Sequence, residues 1–297
     1  MKEYDLFAFG NISIDIIRTP TSEVNMTGGA ILYAAWVGHQ LGYNIGILTK
    51  ISKNDIDRVK EFPLPKEDVY IVPSKETTSI LNIYNTEDKE KRICKSKGRA
   101  EPYQKSDFPD FKAKIIQYSG LIQGEIDLEL IKYLSDKGKL AIDAQGLLRK
   151  AFKNGDMEFD EFKDIKEAMN YIYYFKADAA EAQFITGINT ETQEGRTEAA
   201  KMLLSWGAQE VIISHNKALT CVVNSTEIIA PFKNKGLEGR TGRGDTSFST
   251  YLLKRLSNNP RDSIMYSAAL TSMKMEIPGP FKQSKEEVEV YLNENYN

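Results

Sequence analysis

Several features that would indicate a secreted, membrane-bound or nucleic-acid-binding protein are scarce in this chain. Its 297 residues include only two cysteines, Cys94 and Cys221, which form neither a disulfide framework nor a metal-binding spacing. No apolar run approaches the length of a membrane span, and the first residues lack the apolar stretch of a signal peptide. The net charge of −3 gives no reason to expect nucleic acid. We therefore expect a cytoplasmic protein whose partners include no nucleic acid and no membrane.

The composition is that of a soluble globular chain, with 41% hydrophobic and 27% charged residues. No repeat, low-complexity segment or long linker divides it, so we interpret 1–297 as one domain. Short apolar runs alternate with helical stretches in the second half. The predicted strands are 115–122, 140–143, 172–175 and 211–214, and the predicted helices are 127–136, 160–170 and 194–206. This alternation predicts a parallel sheet covered on both faces, which binds ligands at the carboxyl ends of its strands.

The most informative stretch is Gly239-Arg240-Thr241-Gly242-Arg243-Gly244-Asp245. An apolar stripe at helical spacing follows it and ends before Asn258-Asn259-Pro260, so the glycines lie in a loop that opens a helix. Glycines let backbone N–H groups approach a ligand, and a helix start favours phosphate. Asp245 is then either a helix cap or a base that takes a proton from a hydroxyl attacking the phosphate. The glycines alone would also suit an ordinary turn.

Two better-known phosphate motifs are excluded by the same stretch. No Gly-Lys-Ser/Thr follows at the spacing of a P-loop. Ser247 occupies the third place of a dinucleotide fingerprint, where glycine or alanine is needed.

Polar residues near the expected strand ends are further candidates. Asp15 follows Gly10 on the polar face of an alternating strand, and Gly28-Gly29 opens the next helix. Asp143 and Gln145 follow one strand, where Asp143 with Gly146 is also consistent with a turn. Asp178 follows another strand, and Glu181 three residues later matches a capping box as well as a ligand site.

These elements together resemble the ribokinase (PfkB-type) carbohydrate kinase family, most closely its myo-inositol kinase branch. Thr241, Gly242, Gly244 and Asp245 match the family signature, and Asp15, Gly28-Gly29 and Glu181 precede it in the family's order. The resemblance implies a ribokinase-like three-layer α/β/α sandwich with a mostly parallel sheet. It also implies a small β lid from about 11–27 and 76–97, and a homodimer through that lid.

The implied activity is ATP-dependent phosphorylation of a hydroxyl on a small polyol or sugar, with ATP and Mg²⁺ as cofactors. The resemblance implies that Asp245 is the catalytic base and that Gly242 and Gly244 belong to the catalytic loop. We add Arg243 to the catalytic set because of its place between these glycines. The substrate-binding residues are expected to be Asp15, Gly28, Gly29, Asn82 and Gln145. The ATP-binding residues are expected to be Asp178, Ser214, His215, Thr241, Gly242, Gly244 and Gly279. Glu181 would organise Mg²⁺ through water.

The chain departs from the family pattern at several positions. Gly239 and Arg240 replace the usual Asp-Thr, Arg243 replaces a small residue, and Tyr33 stands where an Asn is usual. Arg243 lies close enough to the anion loop to grip phosphate, or else points to solvent or pairs with Glu238. Two rival functions remain open: a nucleoside or ribose kinase, and a catalytically silent sugar-binding regulator.

Overall fold

The fold is built around a nine-stranded sheet, seen in a computed structural model that describes residues 1–84 and 93–296. The charged turn predicted at 87–91 lies outside the described residues. In sheet order the strands are β15 (Thr226–Pro231), β14 (Ala218–Val223), β13 (Glu210–Ser214), β12 (Tyr174–Asp178), β9 (Lys139–Asp143), β8 (Phe111–Tyr118), β1 (Lys2–Phe9), β4 (Ile45–Ser52) and β5 (Val69–Ser74). From β13 to β5 every neighbouring pair is parallel, and only β14 and β15 run antiparallel to their neighbours.

Helices cover both faces of this sheet because the strands are apolar on both sides. In β1, Leu6 and Ala8 join one buried cluster while Phe7 and Phe9 join the other. The first cluster is covered by α1 (Ala30–Gln40), α7 (Arg243–Lys254), α8 (Pro260–Met275) and α9 (Lys285–Tyr296). The second is covered by α2 (Leu128–Ser135), α4 (Ile165–Ala168), α5 (Ala179–Thr186) and α6 (Gln193–Ser205). This is the three-layer α/β/α sandwich that the resemblance implied.

A second sheet has four strands in the order β3 (Glu23–Gly28), β2 (Ser13–Arg18), β6 (Thr78–Ile83) and β7 (Ile93–Gly98). These strands come from the two segments in which a lid was expected. The α-helix and strands not yet named are the one-turn helix α3 (Gln145–Leu148) and the hairpin of β10 (Arg149–Ala151) with β11 (Met157–Phe159).

The helix predicted over 160–170 is wrong in its first half. Asp160 is tied to the end of α3 and to the β10–β11 hairpin, because its N–H donates to Leu148 O at 2.8 Å and its carboxylate pairs with Lys150 at 2.6 Å. Only Ile165–Ala168 is α-helical. The pattern also missed α8: Asn259 caps that helix and Pro260 takes its first turn, so the Asn-Pro pair begins a helix as well as following one.

Candidate active site

A cavity of about 470 Å³ lies between the carboxyl edge of the main sheet and the four-stranded sheet. The residues expected at the site that line it are Asp15, Gly29, Asn82, Gln145, Asp178, Ser214, Thr241, Gly242, Arg243, Gly244, Asp245 and Gly279. Gly28, Glu181 and His215 are not among the described residues that line it. The cavity therefore brings together residues from both halves of the chain.

One wall of the cavity is a face of the four-stranded sheet. Successive residues of a strand point to opposite faces, so Ser13, Asp15 and Ile17 share a face, and Asn82 is the register partner of Ile17. Ser13 Oγ donates to Asp15 Oδ1 at 2.7 Å. Gly28 lies directly against Asp15, since a Cβ there would overlap the carboxylate. This wall presents a carboxylate and an amide, groups suited to the hydroxyls of a polyol.

The opposite wall is the glycine loop and the start of α7. Gly242 is the N-cap residue with φ of 81°, a left-handed conformation that favours glycine. A side chain there would also overlap the ring of Tyr33. The first turn of a helix leaves N–H groups without intrahelical partners, and here that turn lines the cavity. The loop is therefore suited to bind an anion.

Asp245 lies in that first turn and faces the cavity. Burial raises the pKa of its carboxyl to about 6, and the nearby Asp143 carboxylate adds to the rise. The cations of Lys176, Lys274 and Arg149 oppose it. Near neutral pH the group is thus mostly ionised and poised to accept a proton.

Lys176, which the sequence analysis missed, is the buried cation of the site. It lies on β12, is 5% exposed, and pairs with Asp143 at 3.0 Å. Burial acts to lower the pKa of Lys176, but the surrounding carboxylates, Asp143 first, raise it above its ordinary value. A lysine inside the apolar run 172–177 was the signal that could have pointed to it, because charged residues are rarely buried without a partner.

Asp178 and Glu181 form the capping box that was the alternative to a metal role. Asp178 Oδ1 accepts from Glu181 N at 2.8 Å, and Glu181 Oε2 accepts from Asp178 N at 2.7 Å. Glu181 is 1% exposed, and burial raises its pKa to about 8. Among the described residues no cluster of three His, Cys, Asp or Glu side chains could hold a metal ion. Glu181 as an organiser of Mg²⁺ stays a prediction.

Two guanidinium groups converge beside the loop. Arg243 Nη1 donates to Asn216 Oδ1 at 3.0 Å, and Arg240 Nη2 donates to the same oxygen at 3.2 Å. Both arginines line the cavity. Arg243 also lies over the ring of Phe232, with its guanidinium carbon 5.9 Å from the ring centroid. Its side chain is therefore held beside the anion loop.

The other residues expected around the phosphate donor are spread along the same edge. Ser214 is the last residue of β13 and lines the cavity. Gly279 also lines the cavity, and its φ of 89° is left-handed. His215 Nδ1 is buried without a hydrogen-bond partner, and burial lowers the pKa of its ring. His215 is thus next to the site but is not part of its wall.

None of the helices in residues 1–84 and 93–296 is both long and apolar enough to cross a bilayer.

Comparison with known proteins identifies the family. The profile of the pfkB family carbohydrate kinases matches residues 5–276. A solved pyrophosphate-dependent kinase in the ribokinase family is 27% identical with a TM-score of 0.85, covering 96% of this chain and 99% of that chain. A pyrophosphate-dependent myo-inositol-1 kinase, converted into a myo-inositol-3 kinase by two substitutions, is 26% identical with a TM-score of 0.84. That match covers 98% of this chain and 100% of the other.

Ribokinase of Arabidopsis thaliana, complexed with ribose and ATP, shares the fold at 15% identity, with a TM-score of 0.76 over 98% of this chain and 99% of that chain. A search of curated proteins found no match. The cavity, the glycine loop with Asp245 and the family profile over residues 5–276 lead to one conclusion: this chain belongs to the pfkB family of carbohydrate kinases and has its ribokinase-like fold.

Proposed function

We propose that this chain transfers a phosphoryl group to one hydroxyl of a small polyol resembling myo-inositol. The observation that carries this is a cavity that has Asp15 and Asn82 on one wall and Asp245 with the glycine loop on the other. An acceptor bound to the first wall presents a hydroxyl to the second. The matched myo-inositol kinase supports the choice of a polyol.

In the proposed step the acceptor oxygen attacks the terminal phosphorus of the donor while the hydroxyl proton passes to the Asp245 carboxylate. A new P–O bond forms and the bond to the leaving phosphate oxygen breaks. Backbone N–H groups at the start of α7 stabilise the charge on the transferred group. Lys176 and Arg243 add fixed positive charge on the same wall.

For the donor we propose pyrophosphate first. The cavity wall carries Arg149, Lys176, Arg240 and Arg243, a concentration of cations suited to a small and highly charged anion. The two solved kinases at 26–27% identity named above use pyrophosphate. ATP, the donor expected from the sequence, is the second candidate, because Leu237, Pro278 and Gly279 extend the wall with apolar surface that suits a nucleobase.

Mg²⁺ would accompany either donor and neutralise part of its charge. It binds proteins through few oxygen ligands and keeps several waters, so one carboxylate on the cavity wall is sufficient. Asp178 is on that wall, and Glu181 orients it through the capping box.

The predicted homodimer through the four-stranded sheet remains a proposal, testable by light scattering.

The test is a transfer assay followed by ³¹P NMR. Inositols, hexoses, pentoses and nucleosides are each offered with pyrophosphate or ATP in the presence of Mg²⁺. We expect a phosphate monoester of an inositol, with faster turnover from pyrophosphate. Preference for ribose or a nucleoside would favour that rival kinase. Tight binding of a sugar without transfer from either donor would favour the silent regulator.

A further inference from the structure

A second buried lysine contacts the anion loop from the side of α8. Lys274 is 1% exposed and lies in the last turn of that helix. Its ammonium donates to the carbonyl oxygens of Gly239 and Thr241, which flank Arg240 in the loop. The two contacts connect residues 35 and 33 positions apart in sequence. A single cation thus joins both halves of the loop to the helix.

The loop is enclosed between this lysine and the ring of Tyr33. Gly242 packs directly on the ring, and Lys274 Nζ lies 5.4 Å from the ring centroid. Gly239 N also donates to Met275 O at 2.8 Å, and a side chain at Gly239 would overlap the carbonyl of Ile277. The loop therefore rests closely on the end of α8, where only glycine fits at position 239.

The contacts of Lys274 determine how the loop presents its backbone. The peptide bond is planar and the described chain has no cis peptide, so C=O and N–H of one peptide unit point in opposite directions. With the Thr241 carbonyl turned to Lys274, the N–H of Gly242 points away from it. Gly242 lines the cavity in which the donor is proposed to bind.

We propose that Lys274 is a positioning residue for phosphoryl transfer, whose buried ammonium acts as a built-in cation that holds the loop of Gly239 to Gly242 in its anion-binding conformation. Burying a charge is costly unless it is well satisfied, and a neutral side chain could have filled the same space. The ammonium also lies near Asp245, where its charge favours the ionised base.

The test uses two variants of the full chain. Lys274→Ala removes the ammonium and leaves a cavity, whereas Lys274→Gln keeps two N–H donors without the charge. We expect both variants to lose about 10²-fold in kcat with little change in acceptor KM, as for an interaction that acts in the transition state. Ammonium or methylammonium chloride should restore the alanine variant about tenfold in a saturable way. Tetramethylammonium chloride, which is too large for the cavity, should not.

Lys254→Ala is the matched control. Lys254 also ends a helix and lies over an aromatic ring, with Nζ 4.0 Å from the Tyr266 centroid, but the charged groups near it are Lys285 and Glu289 of α9. It should keep normal kcat and show no response to ammonium. Thermal unfolding of all variants identifies any loss that comes from instability, and if the alanine variant does not fold, the glutamine variant decides.

The inference rests on the proposed transfer reaction, and the two can fail separately. No transfer by the unaltered enzyme from either donor would contradict the proposed function. An active parent with a Lys274→Gln variant within about twofold of its kcat would show that the charge is not needed. A folded Lys274→Ala variant that lost activity and did not respond to ammonium would also overturn the proposal.

Discussion

Lys176 and Asp143 are register partners on neighbouring parallel strands, and the buried ammonium lies 3.0 and 3.2 Å from the two carboxylate oxygens. A Cβ on Gly244 would lie 3.0 Å from the same nitrogen. The ion pair is therefore located directly beneath the start of α7. It supplies positive charge to the anion site from inside the sheet, where solvent screens it little.

Removing the ammonium should affect both stability and activity. Lys176→Met leaves a buried, unpaired Asp143, which we expect to cost about 3–5 kcal/mol in the free energy of unfolding. The double variant Lys176→Met/Asp143→Leu should regain most of that stability, because Asp143 is no longer left as a buried charge without its ion-pair partner, yet remain slow in transfer. Urea unfolding and steady-state turnover measure the two effects. A double variant with normal kcat would show that Lys176 is only structural.

Asp245→Asn tests the proposed base. The amide keeps the size of the side chain and its place in the first turn of α7, so the fold and acceptor binding should be unchanged. Transfer should fall by roughly 10²-fold or more in kcat, since the amide cannot take the proton. Turnover is measured at saturating acceptor and donor. A kcat close to that of the parent would exclude Asp245 from the mechanism.

The pH dependence of phosphoryl transfer should follow the ionisation of the Asp245 carboxyl. Burial, followed by the Asp143 charge, raises the pKa of Asp245 to about 6, so activity should rise as pH increases through about 6 and the base loses its proton. Asp143→Asn removes one of the charges that raise this pKa and should move the acidic limb to lower pH. Profiles of kcat between pH 4.5 and 8 at constant ionic strength provide the measurement. An acidic limb that does not move in the variant would assign it to another group.

Two variants of Glu181 distinguish a role in organising Mg²⁺ from a role in the capping box. Glu181→Gln can keep the capping box, because the amide oxygen can still accept from the backbone. Burial raises the pKa of the Glu181 carboxyl to about 8, so above pH 8 the parent protein buries a charge that the variant lacks. Above that pH the variant should therefore be at least as stable to unfolding as the parent. If the carboxylate organises Mg²⁺, the same variant should need more Mg²⁺ for half-maximal turnover. Glu181→Ala should in addition lose about 1 kcal/mol of stability with the cap. Unchanged Mg²⁺ dependence in both variants would leave only the cap.

Arg243 shares one acceptor with Arg240, and two guanidinium groups held so close together should bind an anion readily. Arg243→Ala should lower kcat by about tenfold or more, with a smaller effect on acceptor affinity, because the charge it meets grows in the transition state. Arg243→Lys should recover only part of the loss, since an ammonium lacks the fork. Asn216→Ala is the control, because it removes the shared acceptor and leaves both charges. An alanine variant with unchanged kcat and donor affinity would show that Arg243 takes no part.

The sequence was most informative where function depends on a local pattern. Apolar runs alternating with helical stretches predicted the parallel sheet. Because such sheets bind ligands at the carboxyl ends of their strands, the same pattern predicted the edge at which the cavity lies. Four consecutive residues include Gly242, Gly244 and Asp245, so their relation to the start of α7 could be recognised before any fold was known. The capping box of Asp178 and Glu181 was likewise apparent as one of two alternatives.

Local pattern was less reliable where long-range contacts compete with it. The first half of the helix expected over 160–170 does not form, because Asp160 is bound by Leu148 at the end of α3 and by Lys150 in the β10–β11 hairpin. Whether Arg243 faced solvent or the site could not be decided either, since Asn216, which holds it, belongs to a different strand connection.

The amino-acid order by itself thus determined the family, the layered fold and the loop that opens α7, because each depends on residues that are close in sequence or on a repeated spacing. Only the tertiary structure decided which cations serve that loop. Lys176 meets Asp143 through the register of β12 with β9, and Lys274 reaches Gly239 and Thr241 because α8 packs against α7. Strand register and helix packing arise from the burial of whole faces of strands and helices. The residues next to a lysine in the sequence therefore do not indicate which distant carbonyl or carboxylate its ammonium will contact.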